Sequence, residues 1–321
     1  MSEVRLGHHV LTGRYALAPL AEFTAWPLRL LCQEFGAAFS CTEMTRARFV
    51  LARAETTCRA LERQPDERLC GAQLCGSDPS ELADAAALVI HELGFAFVDL
   101  NAACPRRRIV SDGDGAALLN HPQKLEQLVR AIVEAVHPAP VTVKMRSGLK
   151  TGNVLAVDAA RAAENGGAAL VAIHPRFASQ GYSGLADHSV SAAVKAAVRI
   201  PVMAGGDLKH SKEAAVLLQR TRCDLAFFGR VAVGAPWVFS LSEDEPLFPG
   251  WTKLRAVFRR HIEMLVEHLG EADACLRARR LAREYAANVP DKSGQAFYDA
   301  LKNVSALEQV WDVLTPGRSC C

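Results

Sequence analysis

Val141-Thr-Val-Lys-Met-Arg146, then Val154-Leu-Ala-Val-Asp-Ala-Ala-Arg-Ala-Ala-Glu-Asn165, then Ala168-Ala-Leu-Val-Ala-Ile-His174 is the stretch on which the fold turns. Two short apolar runs flank a longer segment rich in Ala and other helix formers, which is one strand–helix–strand unit of a parallel sheet. Both runs end on ionisable side chains, Lys144 and Arg146 in the first and His174 in the second. Working outward, further candidate strands lie at residues 14–20, 37–44, 69–74, 96–101, 201–205 and 223–229, making eight. Helical patterns at 80–93, 121–136 and 211–219 lie between them, with Ser80 and Ser211 as candidate caps. Eight such units in one run predict an α/β fold closed into a (β/α)8 TIM barrel over residues 1–243. An open doubly wound sheet would instead carry a GxGxxG fingerprint after its first strand, and none stands there.

Near residue 243 the chain turns acidic and proline-containing (Glu243, Asp244, Glu245, Pro246, Pro249), and beyond it only helical patterns occur. Amphipathic segments at 254–269, 275–288 and 295–304 predict a small C-terminal helical domain over residues 251–314. Half of the 321 residues are hydrophobic and 22% are charged, the balance of a globular enzyme and not of a disordered or fibrous chain. Apolar runs such as 83–90 fall far short of the roughly 18 residues that span a bilayer. The N-terminus lacks a basic-then-apolar leader. The expectation is a cytoplasmic monomer without membrane association. Ten scattered cysteines with no CxxC pair predict reduced thiols and no metal site, and the terminal Cys320–Cys321 pair does not fit a prenylation signal. A net charge of +2 does not by itself mark a nucleic-acid binder, so local clusters matter more. Two stand out: Arg106, Arg107 and Arg108 in a row, and Arg277, Arg279, Arg280 and Arg283 within one helical pattern.

In a barrel of this kind the site is assembled from the C-terminal ends of the strands and the loops after them. Gln73 ends the third candidate strand, Asn101 and Cys104 follow the fourth, and Lys144 and Arg146 end the fifth. His174 and Arg176 end the sixth, Gly205, Gly206 and Asp207 the seventh, and Gly229 and Arg230 the eighth. Glycines at 205, 206 and 229 allow backbone N–H groups to approach an anion, and Arg230 adds a permanent positive charge. A cofactor with one phosphate fits that cradle, and FMN is the commonest such ligand opposite a lysine. Lys144 would then face the electron-rich pyrimidine side of the isoalloxazine. Cys104, on a loop at the mouth beside basic residues and before the glycine-rich Ser111-Asp-Gly-Asp-Gly115, suits acid–base or nucleophilic work.

Several of these residues fall in ordered motifs: Ala18-Pro19-Leu20, Gln73-Leu-Cys-Gly-Ser-Asp-Pro79, Asn101-Ala-Ala-Cys-Pro105 and Val141-Thr-Val-Lys-Met-Arg-Ser-Gly148. His174-Pro-Arg176, Gln180-Gly-Tyr-Ser-Gly184 and Gly229-Arg-Val-Ala-Val-Gly-Ala-Pro-Trp237 follow. Together, and in this order, they resemble the tRNA-dihydrouridine synthases over almost the whole barrel. The resemblance implies that NADPH reduces FMN, that flavin N5 passes hydride to C6 of a uracil extruded from tRNA, and that the Cys104 thiol protonates C5. It implies FMN contacts from Gln73, Lys144, His174, Gly205, Gly206, Asp207, Gly229 and Arg230, with Ala18, Pro19 and Leu20 in the loop beneath the flavin. Asn101 and Arg176 would contact the uracil, and Arg106, Arg107 and Arg108 with the helical tail would grip RNA phosphates. Leu20, Glu22, Ala25, Ala103 and Gly205 stand where that family usually carries Met, Gly, Asp, Gly and Asn. Two other readings of the same residues stay open: a different FMN barrel reductase acting on a small pyrimidine, and an RNA-binding homologue with weakened catalysis.

Overall fold

Eight strands carry the period-two alternation seen in the sequence: β1 (Tyr15–Leu17), β2 (Ser40–Cys41), β3 (Cys70–Cys75), β4 (Phe97–Ala102), β5 (Val141–Gly148), β6 (Leu170–Phe177), β7 (Val202–Ala204) and β8 (Leu225–Phe228). The computed structural model describes residues 3–242 and 244–315, so Glu243 and the Cys320–Cys321 pair lie outside the described residues. Each strand pairs in parallel with the next from β2 to β8, and β8 pairs with β1. Ala38 N–H donates to Tyr15 O at 2.8 Å and Leu17 N–H to Phe39 O at 3.1 Å, which closes the barrel.

Successive side chains leave opposite faces of a strand, and this sorts the sequence into two cores. Val141, Val143 and Met145 of β5, Val98 and Leu100 of β4, and Val171 and Ile173 of β6 pack outward against the helices. Phe39, Phe97, Leu170, Ala172, Met203, Leu225 and Phe227 form a second apolar cluster, the floor of the barrel interior. Continuing the inward set toward the C-terminal ends gives Gln73, Asp99, Asn101, Thr142, Lys144, Arg146, His174 and Arg176, so the interior changes from apolar floor to polar mouth. Gly205 belongs to this inward set because the Phe227 ring fills its place: a Cβ there would lie 2.5 Å from the ring. Its N–H is already donated to Ile173 O at 3.2 Å, so it is not a free donor for an anion.

The expected second strand, 37–44, is interrupted. Only Ser40–Cys41 and Thr45–Arg46 pair with β3, because between them the Thr42 hydroxyl accepts from Gln73 N–H and the Glu43 carboxylate turns to Glu22 N–H. The caps also differ from Ser80 and Ser211. Asp78 accepts from Glu81 N–H and His210 from Lys212 N–H, each one or two residues earlier, leaving the serines within the first turn.

Beyond the barrel lie helices Trp251–Leu269, Glu271–Ala286 and Lys292–Leu301, and a fourth, Leu307–Leu314, that the sequence pattern did not separate. Phe258 meets Tyr285 and Phe297 edge-on at 5.0 and 5.4 Å, and the tail's core is continuous with the barrel's outer layer. Among the described residues no helix is long and apolar enough to cross a membrane.

Two contacts bind the tail to the barrel mouth. Gly234, after β8, approaches the helix Glu271–Ala286 so closely that a Cβ would stand 2.0 Å from Glu284 O. On the other side, Glu22 in the loop after β1 holds a left-handed φ of 69°. Its carboxylate pairs with Arg280, its carbonyl accepts from Arg277 at 2.9 Å, and the Arg280 guanidinium lies 4.4 Å from the Phe23 ring centre. The four-arginine cluster is thus divided: Arg277 and Arg280 clasp the barrel, Arg279 donates to Val304 O within the tail at 2.7 Å, and Arg283 is exposed.

Gly234→Ala should lower unfolding free energy by about 2 kcal/mol or more, since backbone cannot yield as a side chain can. Denaturant unfolding that matches the parent would show that the helix can retreat freely. Glu22→Ala should be less stable than Glu22→Gly by about 1 kcal/mol, the reverse of the ordinary helix or strand order. Alanine keeps the left-handed strain and loses the clasp, whereas glycine loses only the clasp. Equal midpoints for the two variants would remove strain from the account.

Candidate active site

The polar mouth opens on a cavity of about 540 Å³. It brings together Ala18, Pro19 and Leu20 after β1, Lys144, His174, Arg176, Gly206, Asp207, Gly229 and Arg230, and adds Tyr182, Phe227, Glu284 and Asn288. Gln73, Asn101, Gly205 and Cys104 are not in its wall, and Arg106, Arg107 and Arg108 stand exposed just after Cys104 in the chain.

Positive charge dominates the wall. The Lys144 ammonium lies 5.1 Å from the Phe227 ring centre and, among the described residues, has no hydrogen bond or ion pair. Burial and then the neighbouring Arg146 charge bring its pKa down from 10.5 to about 8, with Asp99 opposing. His174 is pushed down to about 2, first by burial and then by the cations of Lys144, Arg146 and Arg176, so it is neutral at physiological pH. Arg176 Nη1 lies 3.1 Å from His174 Nε2. A guanidinium only donates, so Nε2 is the acceptor and the ring proton is on Nδ1.

Arg176 is itself heavily engaged, with the second Nη1 hydrogen left over. It donates to both oxygens of Asp207, at 2.6 and 2.8 Å, and to the carbonyls of Gly184 and Ser183. Burial acts to raise Asp207, but the Ala186 N–H and Arg176 hold its carboxyl below the usual range. Arg176 and Asp207 therefore brace the loop that carries Tyr182. The Tyr182 ring sits 4.7 Å from the Arg230 guanidinium and 5.7 Å from that of Arg146. No carboxylate pairs with Arg230 among the described residues.

The Cys104 loop leaves β4 next to Lys144, since Asn101 and Lys144 are partners in the β4–β5 register. Asn101 Oδ1 accepts from the N–H groups of Ala103 and Cys104 at 3.0 and 2.8 Å, and Arg146 Nε donates to Ala103 O at 3.1 Å. Arg46 closes the far side through Asp112, at 2.7 Å. Burial pushes the Cys70 and Cys75 thiols up to about 12 and raises Cys32 and Cys41 as well, which keeps those four protonated. Cys104 is only half-buried. The sequence reading passed over Asp99 and Tyr182. An aspartate inside an apolar strand, Phe97-Val-Asp-Leu-Asn101, was a usable clue to the first, whereas nothing local indicated that Tyr182 would face two arginines.

In the ligand-free protein, a lysine 13Cε titration should show one lysine near pH 8 that vanishes in Lys144→Met. Because the unfolded chain holds that proton up to about 10.5, native stability relative to Lys144→Met should rise between pH 8 and 10.5. A single titration near the ordinary lysine value would mean that Lys144 is solvated.

With this geometry in hand, comparison with known proteins is specific. The family model described as dihydrouridine synthase matches residues 16–315. A probable tRNA-dihydrouridine synthase of Treponema pallidum is 32% identical over 298 residues, covering 88% of this chain and 87% of its own. tRNA-dihydrouridine synthase B of Pseudomonas aeruginosa is 32% identical over 314 residues, covering 95% and 94%. Among solved structures, histamine dehydrogenase from Rhizobium sp. 4-9 superposes with a TM-score of 0.60 at 15% identity, over 82% of this chain and 50% of that one. The old yellow enzyme homologue of Zymomonas mobilis gives 0.50 at 15% identity, over 73% and 89%. These structural likenesses bear on the barrel fold alone. The sequence relationships go further: they cover the barrel and the helical tail alike, and the chain belongs to the dihydrouridine synthase family.

Proposed function

We propose that the chain reduces uridine in tRNA to 5,6-dihydrouridine, with FMN as hydride carrier, NADPH as reductant and Cys104 as general acid. The observation that carries this reading is the pairing of Asn101 with Lys144, which places the root of the Cys104 loop beside an unpaired ammonium on the cavity wall. A half-buried cation without a counter-charge is costly, and an anionic ring system against Lys144 removes that cost. Arg230, with no carboxylate partner among the described residues, and the neighbouring Gly229 suit a phosphate. Gly206 and Asp207 complete that side of the cavity. The residues present therefore fit FMN. When bound, it supplies the hydride that reaches uracil C6.

The chain's own residues do the rest. Cys104 gives its proton to C5. His174 is less suited to that role, because burial and the surrounding cations hold its ring neutral and Nε2 accepts from Arg176. Asn101 and Arg176 orient the uracil, and Gln73 supports Asn101 from behind. The base must leave its stack to enter, which costs a few kcal/mol, and the exposed Arg106, Arg107 and Arg108 offset this by holding phosphates. On this reading residues 1–243 form the catalytic unit and 251–314 a second RNA-gripping unit. On this reading the activity is a cytoplasmic one.

Cys104→Ala should leave flavin content and NADPH oxidation intact while slowing the return of flavin absorbance on unmodified tRNA by about 10²–10⁴-fold. Re-oxidation at the parent rate would exclude Cys104 as the acid. Re-oxidation by free uracil as fast as by tRNA would overturn the RNA reading.

A further inference from the structure

Cys104 lies on a loop, and its thiol stays in place only if the loop is tied to something that does not move. The tie is a row of side chains crossing β5, β4 and β3. Thr142 and Gln73 both donate to Asp99, Gln73 at 2.6 Å; Asn101 Nδ2 donates to Gln73 Oε1 at 2.9 Å. Asn101 Oδ1 then accepts from the Ala103 and Cys104 N–H groups. Gln73, Asp99 and Asn101 are 2%, 4% and 6% exposed, so bulk water does not replace a lost partner.

An amide keeps its shape when turned over, and only its neighbours decide which end is the oxygen. Here that choice runs one way. A carboxylate at position 99 can only accept, so Gln73 presents its NH2 to it and its oxygen to Asn101. Asn101 must donate to that oxygen, which leaves its own oxygen for the two loop N–H groups. We propose that Asp99 is a positioning residue whose carboxylate sets the direction of this chain and thereby seats the Cys104 loop. Its catalytic consequence rests on the reading of Cys104 as the acid; the seating itself does not. Burial pushes the Asp99 carboxyl up, and the Gln73 and Thr142 donors and the Lys144 charge counter that shift.

Asp99→Asn removes the fixed direction without changing size. Its amide can present either end to residue 73, because the Thr142 hydroxyl accepts as well as donates; position 99 then no longer fixes the order, and Gln73 and Asn101 can turn over until an NH2 confronts the two loop N–H groups. Gln73→Glu alone brings two buried carboxyls together, and the one proton they share lies between them and keeps the order. Combined, the two substitutions restore the order, because the carboxylate then present at position 73 accepts from residue 99 on one oxygen and from Asn101 on the other.

The measurement is the rate of iodoacetamide alkylation at Cys104 in the flavin-loaded full chain, read by peptide mapping. It needs neither RNA nor NADPH, so it stands apart from any failure of the uridine-reducing reading. Asp99→Asn should raise the rate at least about tenfold, whereas Gln73→Glu alone and the double variant should stay within about twofold of the parent. Asp99→Asn should also slow flavin re-oxidation by tRNA about tenfold or more while leaving reduction by NADPH within about twofold. Parent-like alkylation in Asp99→Asn, or a double variant no better than the worse single, overturns the proposal. If Asp99→Asn fails to fold, the double variant decides: a folded protein with parent-like alkylation upholds the direction-setting role, and any other result ends it.

Discussion

Every second residue of eight parallel strands points into a barrel interior wide enough only for side chains, and the site depends on how that interior is filled. Phe97 and Phe227 occupy the floor with aliphatic neighbours, which offer a polar group no partner below the mouth. Polar side chains above that floor therefore turn to one another or to what enters the cavity. Asp99, Gln73 and Asn101 do the first. Lys144, with no acceptor among the described residues, awaits the second.

The charges of the mouth follow the same division. Arg146 and Arg176 are buried cations held by backbone carbonyls and, for Arg176, by Asp207. Their work is to hold loops: Arg146 touches the Cys104 loop and the segment at Phe177–Gly181, and Arg176 braces the turn at Ser183–Gly184. Added to burial, both cations help keep His174 neutral, and Arg146 lowers Lys144. Arrangements in which several fixed cations surround one unpaired amine are stable only at a modest cost in protonation, and they become favourable when an anion enters.

The helical tail is part of this design and is more than an attachment. Glu284 and Asn288 line the same cavity as Lys144, Gly234 lets the tail approach to backbone distance, and Glu22 ties the opposite rim to Arg277 and Arg280. Glu22 accepts an unfavourable left-handed backbone to make that tie, at a position where the family usually carries glycine. Two of the four arginines that looked like one basic stripe are thereby turned inward to the barrel, and a third to the tail's own backbone.

By itself the sequence determined the alternation of strands and helices, the closure into eight units and the residues at the strand ends, because these depend on local periodicity and on the rule that side chains alternate across a strand. Lys144, His174 and Arg230 were legible on those grounds as wall residues, and the ordered motifs were legible as a family pattern. Gly205 was legible as a strand-end glycine, but its reason, the Phe227 ring, was not. Nor was the direction of the chain from Asp99 through Gln73 to Asn101, or the splitting of the second strand by Thr42 and Glu43. Only the tertiary structure decided these, since each is a contact between residues far apart in the chain: 28 positions for Asn101 and Gln73, 31 for Arg176 and Asp207, and 258 for Arg280 and Glu22. A donor finds its acceptor at such separations only after the backbone has closed, and no local pattern records which partner that is.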